Sequence, residues 1–83
     1  MNTFPNPAND QLFINLKEFA GKKATIMISN QFGGVVSVQE IDELSNELVR
    51  IDLSDYINGM YIIRTKIDRH KIISEKFMVN KLY

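Results

Sequence analysis

The stretch that decides the fold is Asn58-Gly59-Met60-Tyr61-Ile62-Ile63-Arg64-Thr65-Lys66-Ile67. Its second part carries apolar or β-branched residues at every odd-numbered position, from Tyr61 to Ile67. Successive side chains of a strand point to opposite faces, so this period of two predicts a long strand with one face toward a core. Asn58 and Gly59 directly precede it and can supply positive φ angles at the start of the strand.

Five further segments show the same kind of pattern, and turn signals separate them. The segments are 12–16, 24–29, 35–38, 49–53 and 72–79. Residues typical of turns lie before the first segment at 6–7 and between later ones at 20–23, 31–34 and 68–71, and the 31–34 turn contains Gly33 and Gly34. Six strands at short, regular spacing predict an all-β sandwich or barrel.

Residues 40–48 depart from this pattern. Ile41, Leu44 and Leu48 have helical spacing, and the Glu and Leu residues here favour helix. So short a helix is marginal unless it docks on other elements. A polar loop with one helical turn is the alternative, and we expect it because strands flank the segment closely on both sides.

Length and composition exclude several function classes. The chain has 83 residues, which predicts a single domain over residues 1–83. Ten basic and ten acidic residues cancel, which argues against nucleic acid and against a polybasic membrane patch. The absence of cysteine excludes disulfides, thiolate zinc sites and thiol nucleophiles. No basic segment followed by an apolar one opens the chain, so we expect no signal peptide within it.

The polar residues predict no catalytic, cofactor or metal site. His70 lies among charged residues at 68–71, and we expect an exposed loop histidine. Asp52, Ser54 and Asp55 do not have the spacing of a calcium loop, and we expect instead a turn at the end of a strand, in which Asp55 or Ser54 bonds to nearby backbone. The serines have no nucleophile-elbow context. The chain is therefore not expected to be an enzyme.

The aromatic residues allow two interpretations. They could form a platform for a glycan or a peptide, or they could fill the core of a small sandwich. We expect Tyr61 and Phe77 in the core, and Phe32 and Tyr83 at the surface. Phe13 and Tyr56 stay open.

The two ends of the chain carry the remaining motifs. Phe4-Pro5-Asn6-Pro7 opens it and Lys76-Phe77-Met78-Val79-Asn80-Lys81 closes it. The lysines around the last apolar strand could protect an edge strand from aggregation. They could instead mark a strand that a partner recognises, by addition to its own sheet, but the residues alone favour edge protection.

Taken in order, these motifs resemble the type A C-terminal sorting domain of the type IX secretion system of Bacteroidota. The resemblance extends from Phe4 to about Lys81. It is carried by the opening and closing motifs and by two internal segments, 31–33 (Gln-Phe-Gly) and 55–61 (Asp-Tyr-Ile-Asn-Gly-Met-Tyr). The chain departs from the family at Gly34, where a polar residue is common, and in the 68–71 loop, which lacks the usual glycine.

The resemblance implies an immunoglobulin-like antiparallel β-sandwich of about six to seven strands that acts as a non-catalytic sorting signal. Its partners would be a cargo protein fused to its N-terminal side, the outer-membrane translocon, and shuttle and sortase components. The cargo would cross the periplasm and reach the cell surface or the medium. A cell-surface sortase usually removes such domains, here upstream of Pro5, and the cargo is released or joined to an anionic lipopolysaccharide.

The resemblance also assigns roles to individual residues. Recognition by the translocon would involve Lys76, Phe77, Met78, Val79 and Lys81. The structural motif residues would be Pro5, Asn6, Pro7, Gly33, Asn58, Gly59 and Tyr61. The alternative function is an immunoglobulin-like module for glycan binding or adhesion. Weak self-association through an uncovered edge strand is a further expectation.

Overall fold

The computed structural model describes residues 1–81 and contains seven strands in two antiparallel sheets. The strands are β1 (Asn2–Phe4), β2 (Gln11–Asn15), β3 (Ala24–Asn30), β4 (Val35–Ile41), β5 (Val49–Asp52), β6 (Gly59–Ile67) and β7 (Lys71–Val79). A short 3-10 helix, Lys17–Phe19, follows β2. All six strands predicted from alternation are present. The seventh, β1, is a three-residue strand that pairs with β2.

The strand order confirms the immunoglobulin-like sandwich. One sheet has the order β1-β2-β5 and the other has the order β4-β3-β6-β7. An immunoglobulin constant domain places its first, second, fifth and fourth strands in one sheet. Here the fourth strand pairs with the third instead. The sheet that contains the first strand therefore has three strands, and the other sheet has four.

The core lies between the two sheets and follows the predicted alternation. On β6 the inward residues Tyr61, Ile63, Thr65 and Ile67 are all buried, whereas Arg64 on the other face is exposed. The same alternation buries residues on the other strands. They include Leu12, Ile14, Ala24, Ile26, Ile28, Ile51, Phe77 and Val79. Side chains from both sheets therefore form a single cluster.

Residues 42–48 form a loop, and the expected helical turn within it is wrong. β4 extends to Ile41, and within residues 42–48 the structure shows only bends and irregular backbone. Leu44 is buried, its N–H donates to the Lys22 carbonyl at 2.8 Å, and its carbonyl accepts from the Gly21 N–H at 2.7 Å. Because both backbone groups of Leu44 bond to the 20–23 turn, they do not form the hydrogen bonds of a helix, and the loop is anchored on that turn.

The β6–β7 loop closes without glycine because an aspartate takes the left-handed position. Asp68 has a φ of 52°, and aspartate tolerates this region better than most residues do. Its N–H donates to the Lys23 carbonyl at 2.8 Å, and its carboxylate accepts from the Lys23 N–H at 3.2 Å. The positive φ and the two hydrogen bonds of Asp68 thus hold this loop in its turn. In the usual form of the loop, a glycine would take the position with positive φ.

Candidate functional site

The opening and closing motifs meet at one end of the sandwich. The Ala8 N–H donates to the Met78 carbonyl at 2.7 Å, and the Asn80 N–H donates to the Ala8 carbonyl at 2.8 Å. The Asn6 side-chain oxygen accepts from the Met78 N–H at 3.0 Å. Ala8 and Val79 form a parallel bridge, so residues 6–8 cover the last part of β7 along its outer edge. The last residues of β7 are therefore bonded on both sides.

The β7 residues predicted for recognition divide between two environments. Phe77 and Val79 point inward and are fully buried. Lys76 and Met78 point outward, with Met78 39% exposed and Lys76 exposed. A partner that approaches the folded domain can contact the side chains of Lys76 and Met78, whereas Phe77 and Val79 serve the core.

Lys81 is held by the preceding loop rather than extended into solvent. Its ammonium group donates to the carbonyls of Leu53 and Ser54 at 2.8 and 3.0 Å. Its backbone N–H donates to the Asn58 side-chain oxygen at 2.8 Å. Lys81 therefore connects the closing segment to the β5–β6 connection. Of the two predicted recognition lysines, Lys76 is the more accessible.

The 55–61 segment forms a tyrosine corner at the start of β6. The Tyr61 hydroxyl donates to the Ile57 carbonyl, four residues upstream, at 2.7 Å. The Tyr61 ring stacks on Phe77 with centroids 5.5 Å apart and lies 5.1 Å from the Tyr56 ring. This hydroxyl-to-backbone contact at a corner between the sheets is a hallmark of immunoglobulin-like sandwiches. Tyr61 is in the core, as predicted, and it fixes the loop beside the closing strand.

Gly59 supplies the positive φ angle predicted for this loop, whereas Asn58 contributes a side chain. The φ of Gly59 is +152°, and Asn58 is not among the residues with positive φ. Gly59 is the first residue of β6 and lies opposite Val79 in the register with β7. The conformation of Gly59 thus sets where β6 begins to pair with the closing strand.

The 31–33 motif forms the β3–β4 hairpin at the same end of the molecule. Gly33 has a φ of +88°, and the Asn30 side-chain oxygen accepts from the N–H groups of Phe32 and Gly34, both at 2.9 Å. Between this hairpin and the 55–61 loop lies a surface cleft of about 320 Å³. Phe32, which is 86% exposed, Tyr56 and Ile57 are among the residues that line it.

The Tyr56 hydroxyl is a buried polar group beside the cleft. The oxygen is shielded from solvent and has no hydrogen-bond partner within residues 1–81. Burial raises the pKa of the Tyr56 phenol, and the nearby Ser37 hydroxyl opposes this without the geometry of a full hydrogen bond. The phenol therefore stays protonated at neutral pH and can donate a hydrogen bond.

The remaining polar candidates have structural roles. The Asp52 carboxylate accepts from the Ser54 N–H at 2.9 Å, which confirms the predicted strand-end turn, although Asp52 supplies the acceptor rather than Asp55 or Ser54. His70 is exposed in the β6–β7 loop, as expected.

Within residues 1–81, no group of three or more His, Cys, Asp or Glu side chains has the proximity of a metal site. In the same part of the chain, no helix has the length and apolarity to span a membrane.

The four motifs that carry the resemblance lie at one end of the sandwich, and comparison with protein-family models gives the deciding observation. The model described as "Secretion system C-terminal sorting domain" matches residues 2–80. This chain belongs to that family. The sorting domain matches no curated protein and no solved structure in the corresponding searches.

The sequence interpretation named Asn6, Asn58 and Lys81 but missed the contacts through which their side chains join the motifs of the sorting domain. Asn6 and Asn58 each accept a backbone N–H from the closing segment, and Lys81 donates to the end of β5. Asparagine beside proline or glycine is equally typical of an isolated turn, so the sequence contains no signal for these long-range contacts. Pro5 and Pro7, named with Asn6, flank it in sequence, and the bond to the closing segment comes from the Asn6 side chain.

Proposed function

We propose that the exposed side chains of the closing strand, Lys76 and Met78, are the part of this sorting domain that the secretion machinery contacts. Membership of the family makes the domain a type IX sorting signal, so the protein that carries it is secreted to the cell surface or the extracellular space. The proposal adds the site: an exposed lysine and a methionine on an otherwise anchored strand.

The observation that supports this site is the anchoring itself. Residues 6–8, Asn58 and the tyrosine corner all fix the segment from Phe77 to Lys81. A rigid surface loses less conformational entropy on binding than a mobile tail does. The motifs that define the family thus hold two outward side chains in one defined arrangement.

The finer steps of the pathway belong to the same proposal. The fused cargo crosses the periplasm, the outer-membrane translocon and its shuttle component receive the domain, and a cell-surface sortase cuts upstream of Pro5. The domain, proposed to span residues 1–83 as one unit, takes no catalytic part. Self-association through the open edge of β4 remains an additional proposal.

The experiment is a reporter with this chain fused to its C-terminal end, expressed in a type IX-competent cell and scored for surface delivery. Lys76→Glu combined with Met78→Ser is expected to reduce delivery, while Lys17→Glu combined with Leu48→Ser, whose leucine is as exposed as Met78, leaves it unchanged. Point variants replace deletion of residues 76–83, because that deletion also removes the buried Phe77 and Val79. A reporter that stays inside the cell with the intact chain attached would refute the proposed function.

A second function, glycan binding, is favoured by one observation. Phe32 is 86% exposed at the mouth of a cleft that also contains Tyr56, and exposed rings can stack on sugars. This function predicts saturable glycan binding that Phe32→Ala abolishes and Phe13→Ala preserves. The other ring expected at the surface, Tyr83, lies outside the described residues. Binding that is unaffected by Phe32→Ala would reject the cleft as the glycan site.

A further inference from the structure

The outward face of the four-stranded sheet has an unusual composition. In an antiparallel sandwich the inner face of a sheet is apolar and the outer face is usually polar. Here half of the outward residues are apolar, and they include three of the four methionines of the chain. We call this the outer methionine face. Its apolar members are Met27, Val35, Val38, Met60, Ile62, Ile72 and Met78.

The strand register shows that these side chains are neighbours. Met27 lies opposite Val38 on one side and Arg64 on the other. Met60 lies opposite Met78, and Ile62 lies opposite Lys76. Directly opposite residues on one face have Cβ atoms about 5 Å apart, which makes neighbours of Met27 and Val38 and of Met60 and Met78. Ile62 lies diagonal to Met27 and two residues from Met60, so it links these pairs across all four strands, while Ile72 stands apart beside Lys66.

The face is accessible. Val35, Val38 and Ile72 are 55, 59 and 65% exposed, while Met27 and Ile62 are half-buried by their neighbours. Scattered single apolar residues are normal at a protein surface, but a contiguous patch rimmed by polar residues is typical of an interaction site.

The charges on this face are predominantly positive. Arg64, Lys66 and Lys76 point outward, and the outward position of β4 adds Glu40. Three cations and one anion give the face a net charge of +2, although the whole chain has a net charge of zero. Arg64 lies opposite Met27, whereas Lys66 and Lys76 lie opposite Ile72 and Ile62. Each cation thus has an apolar neighbour across the strands, so an acidic partner can meet both at once.

We propose that the outer methionine face docks an acidic protein surface with an apolar centre. This rests on the proposed function and extends its site from β7 across the sheet to β4. Methionine side chains are flexible and polarisable and adapt to irregular partners. Interfacial membrane binding favours aromatic rings beside cations, and the outward positions of β3, β4, β6 and β7 carry none. A protein is therefore a better match than a lipid surface.

The dimensions of the face suit a transient contact. Four strands and about six residues along each give a footprint of roughly 15 by 20 Å. This is below the roughly 800 Å² per partner of a stable interface. A sorting signal must be released after delivery, so a small interface with electrostatic steering fits its use.

The test uses residues that the Lys76 and Met78 experiment does not touch. In the reporter fusion, Val38→Glu with Arg64→Glu and Lys66→Glu replaces one apolar residue and two cations of the face with anions. All three positions lie on strands other than β7. The matched control, Leu48→Glu with Lys22→Glu and Lys23→Glu, makes equal changes outside the face. We expect surface delivery to fall about tenfold for the first set and to stay unchanged for the control, because like charges across an interface are strongly unfavourable.

The outcomes separate this inference from the proposed function. Delivery by the intact fusion together with undiminished delivery by the face variant would overturn the docking face and leave the sorting site standing. Failure of the intact fusion would reject both. Unfolding midpoints are measured for each purified fusion, and Val38→Thr with Arg64→Gln and Lys66→Gln replaces a variant that does not fold. Binding of the intact fusion to phosphatidylglycerol vesicles, lost in the face variant, would overturn the protein partner in favour of a membrane.

Discussion

At the scale of single residues, Gly59 makes the most direct prediction about stability. Its φ of +152° lies where side chains with a Cβ are strained. Gly59→Val should lower the free energy of unfolding by about 1–3 kcal/mol. Chemical denaturation measures this, with Ile62→Val, which places the same side chain elsewhere on β6, as the control. Equal midpoints for the two variants would show that the Gly59 conformation imposes no constraint.

The two lysines of the closing segment should differ in their effect on stability. Lys81→Met removes an ammonium that donates to two carbonyls, and we expect a loss of about 1 kcal/mol. Lys76→Met changes an exposed outward residue and should stay within about 0.5 kcal/mol of the parent. Urea unfolding of both variants checks the contrast. A Lys76 effect as large as that of Lys81 would contradict the assigned contacts.

Asp52 predicts a pH dependence. The Ser54 N–H, and to a lesser extent the Ser54 hydroxyl, hold the pKa of the Asp52 carboxyl below its ordinary value of 3.8. Because the folded pKa is depressed, Asp52 stabilises the fold above pH 3.8, and this is lost as the pH falls through the folded value. A carboxyl-carbon NMR titration should give a value below 3.8. Ser54→Ala, which keeps the N–H, should raise it only in part, and a full return to 3.8 would assign the effect to the hydroxyl alone.

At the scale of elements, the cover that residues 6–8 place on β7 has a measurable consequence. Asn6→Ala removes the acceptor of the Met78 N–H. The loss should cost about 1 kcal/mol and speed hydrogen exchange at the Met78 amide. Asn2→Ala, an exposed change on β1, is the control. Unchanged exchange at Met78 would mean that another acceptor protects this amide.

The elements that sequence could predict are those with enough alternation to identify a buried face. Residues 61–67 and 49–53 meet that condition, and both form strands. β1 does not, because its three residues are too few to show an alternation, and only the pairing with β2 identifies it as a strand. The 42–48 loop shows the opposite error, because a helical turn was predicted there and none is formed. Leu44 has helical spacing, but its position is set by bonds to residues 21 and 22.

The candidate site was predictable as a set of motifs but not as an arrangement. Phe77 and Lys76 are adjacent in sequence, and strand alternation alone places one in the core and the other outside. The contact of Asn6 with Met78 spans 72 residues, and no local pattern encodes it. The outer methionine face emerges only when the register aligns residues from four strands.

At the scale of the whole molecule, the sandwich should unfold as one unit. Phe77 and Val79 from the last strand lie in the same core cluster as Leu12 and Ile14 from β2. A chain truncated after Glu75 is therefore expected to be unfolded, whereas one truncated after Lys81 keeps these contacts. Circular dichroism and thermal unfolding distinguish the two. A cooperative transition in the shorter chain would show that β7 is dispensable for the fold.

The pairing of residues 6–8 with residues 78–80 also makes folding of the domain depend on completion of its synthesis. These contacts join segments made near the start and the finish of synthesis of the domain, so the segment around Asn6 stays unpaired until translation has passed residue 80. A polypeptide released early, before Phe77, lacks both the core residues and the partner strand of its opening segment. A receptor that binds only the folded end would therefore not bind prematurely terminated products.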